Sequence, residues 1–162
     1  MPTSVAIVEA DLENGQHQRD VLALTAAYAH DPMGNGAPLP ADVLGRLISG
    51  LKAHPTTLIL LAYREEKPVA IATCFRGFST FYAKPLLNIH DFSVLPEHRG
   101  QGIGRQLLRA VEQWARQAGC CRVTLEVQEG NTAARHVYES MGFGPAICGA
   151  GPRGSLFYMK PL

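Results

Sequence analysis

The stretch "NIHDFSVLPEHRGQGIGRQLL", Asn88 to Leu108, passes from a strand pattern through three glycines in five residues into an apolar-periodic helix. A further strand-like run, "CRVTLEV", follows this helix. Strand, helix and strand in that order give one parallel pair, because the helix carries the chain back to the start of the sheet. The helix spans about Ile103 to Ala118, with Ile103, Leu107, Val111, Trp114, Ala115 and Ala118 on one stripe and Gly119 as its stop. Elsewhere strand patterns follow each other through short turns. "TTLILLAYREEKPVAIATCFRGF" reads as a hairpin turning at Glu65 to Pro68, and "SVAIVEA" as a first strand. Helical spacing runs from Gln18 to Ala29, again over "ADVLGRLISGLKAH" with Pro40 at its first turn, and over "NTAARHVYESMG" between Asn131 and Gly142. "FGPAIC" and "SLFYMKP" read as two closing strands. The expected order is β-α-α-β-β-β-α-β-α-β-β: an α/β (α+β) domain with a mixed, mainly antiparallel sheet.

At 162 residues the chain is expected to be one domain spanning 1–162. The net charge of +1 gives no electrostatic reason to expect nucleic acid or an anionic membrane as partner. Cys74, Cys120, Cys121 and Cys148 lack metal-ligand spacing, so no metal is expected and the thiols are read as reduced. The first residues lack the charged and apolar segments of a signal peptide, and no apolar run nears the ~20 residues of a membrane span. A cytoplasmic protein is expected.

The glycines gain meaning from their place between strand and helix. The first four N–H groups of a helix have no partner within it, and the helix dipole there favours anions. Gly100, Gly102 and Gly104 clear side chains from those donors, while Arg99 and Arg105 add positive charge. A phosphate or pyrophosphate is the implied ligand; a tight turn with no ligand is the alternative. No Lys-Ser or Lys-Thr follows, which excludes a Walker A loop. An arginine stands where GxGxxG needs its last glycine, which argues against a dinucleotide site.

"RGQGIG", Arg99 to Gly104, resembles the R/Q-x-x-G-x-G/A signature of the GNAT N-acetyltransferase family. "IHDFSVLPEHRGQGIGRQLL" is similar to that family's strand, pyrophosphate loop and helix, and "NTAARHVYESMGF" to its second motif. The resemblance covers most of the chain and is strongest from Ile89 to Phe143. It implies the GNAT fold, acetyl-coenzyme A as cosubstrate, and direct acetyl transfer to a primary amine. The cofactor-binding residues it implies are Ser93, Val94, Arg99, Gly100, Gln101, Gly102, Ile103, Gly104, Arg105 and Asn131.

Acetyl transfer needs a neutral amine, a stabilised oxyanion and a protonated leaving thiolate. By resemblance, Tyr138 protonates the thiolate; a helix aromatic packed on the sheet is the alternative. Ser93 and Val94 mark the backbone that meets the pantetheine and the carbonyl. His90 stands where many members carry a glutamate base, and Asp91 follows, in a strand reminiscent of polyamine acetyltransferases. Histidine titrates in the right range for a base, yet it cannot hold a cationic amine as glutamate does. Asp91 either orients His90 or faces the other side of the sheet, since neighbouring strand residues alternate. Tyr28, Phe78, Phe81 and Tyr82 are candidates for the acceptor side. A small-molecule amine is favoured over a protein N-terminus or lysine, with a non-catalytic acyl-coenzyme A-binding module as the rival. The family and the apolar run "SLFYMKPL" also allow a homodimer.

Overall fold

A computed structural model describes residues 4–145 and 160–161. The chain divides into two compact units, Met1–Gln128 and Glu129–Leu162. The closing strands expected at "FGPAIC" and "SLFYMKP", together with Cys148, lie largely or wholly outside the described residues, as does most of the stretch behind the homodimer expectation.

The first unit is built on one five-stranded sheet. Its strands are β1 (Val5–Glu9), β2 (Thr57–Arg64), β3 (Lys67–Ser79), β4 (Lys84–Val94) and β5 (Val123–Leu125), and they lie in sequence order. The first four pair antiparallel and β4 pairs parallel with β5, so the single parallel pair sits where expected. Helix α1 (Gly15–His30) and α2 (Ala41–Ala53) pack on one face through Val21, Leu24 and Leu51, against Ile59, Leu61 and Ile71. Helix α3 (Ile103–Gln117) runs over the other face, against β1 to β4. Covered on both sides, β2 and β3 are buried from Leu58 to Ala62 and from Val69 to Cys74, which is why their sequences are unbroken apolar runs.

Local chemistry moves several boundaries. α1 begins three residues earlier than its periodicity suggests, because Asn14 caps it, its side chain accepting the N–H groups of Gln16 at 2.8 Å and His17 at 3.3 Å. The β2–β3 turn is confined to Glu65 and Glu66, at φ of 49° and 65°, and Pro68 already belongs to β3. Only three residues of "CRVTLEV" pair as β5. On α3 the buried stripe includes Leu108, while Trp114 is only half-buried, its Nε1 donating to Glu9 Oε2 at 3.3 Å. No described helix is long and apolar enough to cross a membrane.

Leu107 is fully enclosed between α3 and the sheet. Leu107→Ala is expected to lower the unfolding free energy by about 2–5 kcal/mol, measured by urea denaturation.

Candidate active site

The glycine stretch forms the link between β4 and α3. A single 3₁₀ turn, Pro96–His98, leads into it, and Gly102 is the N-cap of α3 in the left-handed conformation. Gly100 and Gly102 have φ of 72° and 79°, a region costly for other residues, and a Cβ on either would meet nothing within 4 Å. Gly104 has a different task. It is helical, and a Cβ there would sit 3.7 Å from Phe92 and Val94, so it brings the start of α3 against β4. The first intrahelical acceptor is the Gly102 carbonyl, taken by Gln106 at 3.1 Å. The amides of Ile103, Gly104 and Arg105 therefore precede the helix's own bonding ladder and face its positive end.

Side chains around this loop are engaged by the protein itself. Ile103 is 2% exposed, leaving only its backbone for a ligand. Gln101 accepts from Arg64 on β2 and donates to the Glu97 carbonyl at 3.2 Å. Arg99 donates through Nε to the Val94 carbonyl at 2.8 Å and through Nη2 to Asp31 at 2.5 Å. What the loop offers a phosphate is thus mainly backbone N–H, with Arg105 half-exposed beside it.

The decisive feature of β4 is a bulge. Asp91 stands opposite Thr73 and Ile89 opposite Cys74, so His90 is an extra residue without a partner on β3. Thr73 lies two residues from Ile71 of the α1/α2 core, which puts Asp91 on that face. His90 shares it, because its ring meets Phe75 edge-on with centroids 5.4 Å apart, and Phe75 packs against the same core. Simple alternation would have separated His90 from Asp91; the bulge unites them. Ser93, opposite Ile71, falls on the same face, whereas Phe92 and Val94 turn to α3. Pairing with β5 covers only Leu87 to Ile89 and stops just before the bulge. From His90 to Val94, β4 has no parallel neighbour among the described residues, and the Val94 carbonyl there accepts from Arg99 Nε at 2.8 Å.

Asp91 is half-buried, and burial holds its carboxyl above the usual carboxylate range, partly offset by His90. Burial first, then the charges of Asp91 and Asp31, hold the Tyr28 hydroxyl above its usual range. Tyr28 therefore lies within electrostatic reach of both Asp31 and Asp91. Phe78, Phe81 and Tyr82 do not join them. They sit at the far end of the β3–β4 hairpin, 63%, 97% and 62% exposed. Phe78 is five residues along β3 from Thr73, roughly 17 Å at the usual strand rise. Arg122 covers the Tyr82 ring at 4.8 Å. Sequence reading missed both the bulge and the Arg99–Asp31 contact. The bulge had a signal: apolar alternation at Leu87 and Ile89 resumes at Phe92 and Val94, one residue out of phase.

In the second unit, α4 (Thr132–Ser140) is capped by Asn131, whose Oδ1 accepts from the Ala134 N–H at 3.2 Å. Tyr138 is 8% exposed, its ring tilted against Phe143 at 5.9 Å between centroids. The Tyr138 carbonyl accepts the N–H groups of Met141 and Phe143, both at 3.0 Å, which closes the helix.

A sequence model described as the acetyltransferase (GNAT) family matches residues 23–143. The chain belongs to the GNAT family. Among curated relatives, streptothricin acetyltransferase of Streptomyces lavendulae is 48% identical over 63 residues, covering 39% of this chain and 32% of that protein. Aminoglycoside N(6')-acetyltransferase type 1 of Acinetobacter haemolyticus is 28% identical over 96 residues, 57% of this chain and 66% of that one. The chain thus spans from one third to just under two thirds of the length of these two relatives. Among solved structures, a probable acetyltransferase superposes with a TM-score of 0.78 at 23% identity, covering 97% of both chains. An aminoglycoside acetyltransferase from an uncultured soil metagenomic sample, in complex with sisomicin, superposes with a TM-score of 0.74 at 20% identity, covering 96% and 95%. At such identities these structures establish the shared GNAT fold.

The raised carboxyl of Asp91 sets a pH test for this GNAT chain. A carboxyl whose folded pKa exceeds its unfolded one loses stability as pH rises from below the unfolded value through the folded value. Asp91→Asn is therefore expected to raise the urea midpoint at pH 7, with the gain vanishing below about pH 4.

Proposed function

We propose that this chain is an acetyl-coenzyme A-dependent N-acetyltransferase acting on a primary amine of a small, cationic molecule by direct transfer in a ternary complex. Family membership supports the donor and the reaction class. The acceptor class rests on one observation: the bulge turns His90 and Asp91 to the same face, beside Tyr28. Relatives named for streptothricin and aminoglycosides support a small-molecule acceptor. The cradle is supported by the backbone between Gly100 and Arg105, and by the end of β5 pairing at Ile89.

An alkylamine with a pKa near 10.4 arrives as an ammonium ion. In this reading the Asp91 carboxylate attracts it, and His90, exposed to solvent, takes one proton and releases it to water. The neutral nitrogen attacks the thioester carbon, and a backbone amide of β4 meets the developing oxyanion, Ser93 and Val94 marking the stretch that contacts the pantetheine and the carbonyl. The nitrogen gives its second proton to His90, which has passed the first to water, as the C–S bond breaks. Tyr138 gives its phenolic proton to the leaving sulfur and is reprotonated through solvent. A covalent acetyl-cysteine route is disfavoured at Cys74, whose thiol is buried and pushed up to about 12.

The test is thiol release from acetyl-coenzyme A with a panel of polyamines, aminoglycosides, amino acids and peptide N-termini. Turnover is expected with cationic small amines, and Tyr138→Phe should lower kcat by about 100-fold with coenzyme A affinity retained. Turnover of peptides alone would overturn the acceptor class. Silence across the panel despite coenzyme A binding would favour a binding module.

A further inference from the structure

Arg99 opens the glycine stretch, at a position whose sequence context suggests a phosphate ligand. Its guanidinium is engaged elsewhere. Nε donates to the last carbonyl of β4, at Val94, and Nη2 to Asp31, which lies 68 residues away in sequence and directly after α1. The Asp31 side chain is only 11% exposed. Its Oδ1 accepts the Met33 N–H at 2.8 Å, and its carbonyl accepts from Gly34 at 2.9 Å and Gly36 at 3.1 Å. Asp31 is thus the hub on which residues 31–36 are folded. This loop presses on Tyr28 closely enough that a Cβ on Gly34 would come within 2.0 Å of the Tyr28 carbonyl oxygen. Gln128, following β5, adds a bond from its Nε2 to the Met33 carbonyl at 3.2 Å. The Arg99 hydrogen bond, and then the Met33 N–H, hold the Asp31 carboxyl below the usual range, so Asp31 stays ionised through neutral pH.

We propose that Arg99 is a positioning residue for the acceptor side rather than a ligand of the cofactor phosphates: through Asp31 it fixes residues 31–36 over Tyr28. The inference rests on the reading that Tyr28 and Asp91 face the acceptor. It ties the two substrate sides together, since the loop that cradles the cofactor also braces the loop that shapes the acceptor site. Phosphate recognition then falls to the backbone amides of residues 100–105. Two charge-assisted bonds in a partly enclosed place are strong enough for their loss to be measured.

Amide hydrogen exchange at Met33, Gly34 and Gly36 tests this without any ligand. Arg99→Gln is expected to speed exchange there about tenfold or more, and Arg99→Lys, which keeps a charge toward Asp31, should restore part of the protection. Coenzyme A affinity of Arg99→Gln should stay within about threefold of wild type, while KM for an amine that is turned over rises about tenfold at nearly constant kcat. Asp31→Asn, which keeps an acceptor for the Met33 N–H, should act like Arg99→Gln, and the double variant should be no worse than either single one. Unchanged exchange at these amides, or a loss of coenzyme A affinity of about tenfold or more, overturns the proposal, as does additivity in the double variant. Failure of the wild-type chain to bind coenzyme A would instead sink the acetyltransferase reading and leave the exchange result standing.

Discussion

One extra residue in β4, at His90, governs the chemistry that the sheet can present. Below it, Ile89 is held opposite Cys74; above it, Asp91, Phe92 and Ser93 are held opposite Thr73, Ala72 and Ile71. Both registers are anchored by buried apolar side chains, so neither can slip to absorb the mismatch. The strand bulges instead. Two consecutive polar side chains then share one face, and β4 leaves the company of β5 at the same point. A polar surface and the end of the parallel pairing follow from a single shift of phase.

Around this point the molecule divides its labour between packing and bracing. β2 and β3, enclosed on both faces, supply a stiff apolar platform. The loops above it carry little apolar burial and are held by polar contacts: Arg64 on Gln101, Arg99 on Val94 and Asp31, and Gln128 on Met33. The half-burial of Asp91, which works against its charged form, is a local cost of the kind that functional sites carry on an otherwise well-packed scaffold. The buried thiol of Cys74 nearby, its pKa pushed up by burial, is chemically quiet.

Much of this was legible in the chain itself. The stripe on α3 gave its helix, and the unbroken apolar runs of β2 and β3 fitted strands covered on both sides. The family signature at Arg99 to Gly104 agreed with the match over residues 23–143. The acceptor candidates fared unevenly. Tyr28 lies within electrostatic reach of Asp91, whereas Phe78, Phe81 and Tyr82 stand at the far end of a long hairpin. The distance between them depends on how far β3 and β4 run before turning, and a cluster of aromatics does not encode that length.

By itself the sequence determined the elements from β1 to α4, their order and the glycine turn before α3, because helix periodicity, strand alternation and the left-handed glycines at 100 and 102 are local properties of the backbone. It even carried the bulge, as a slip in alternation between Ile89 and Phe92. Only the tertiary structure decided that His90 and Asp91 lie on one face, and that Arg99 pairs with Asp31. Those relations join strands and loops far apart in the chain. They exist because packing against two layers of helix sets the register and brings distant charges to within bonding distance.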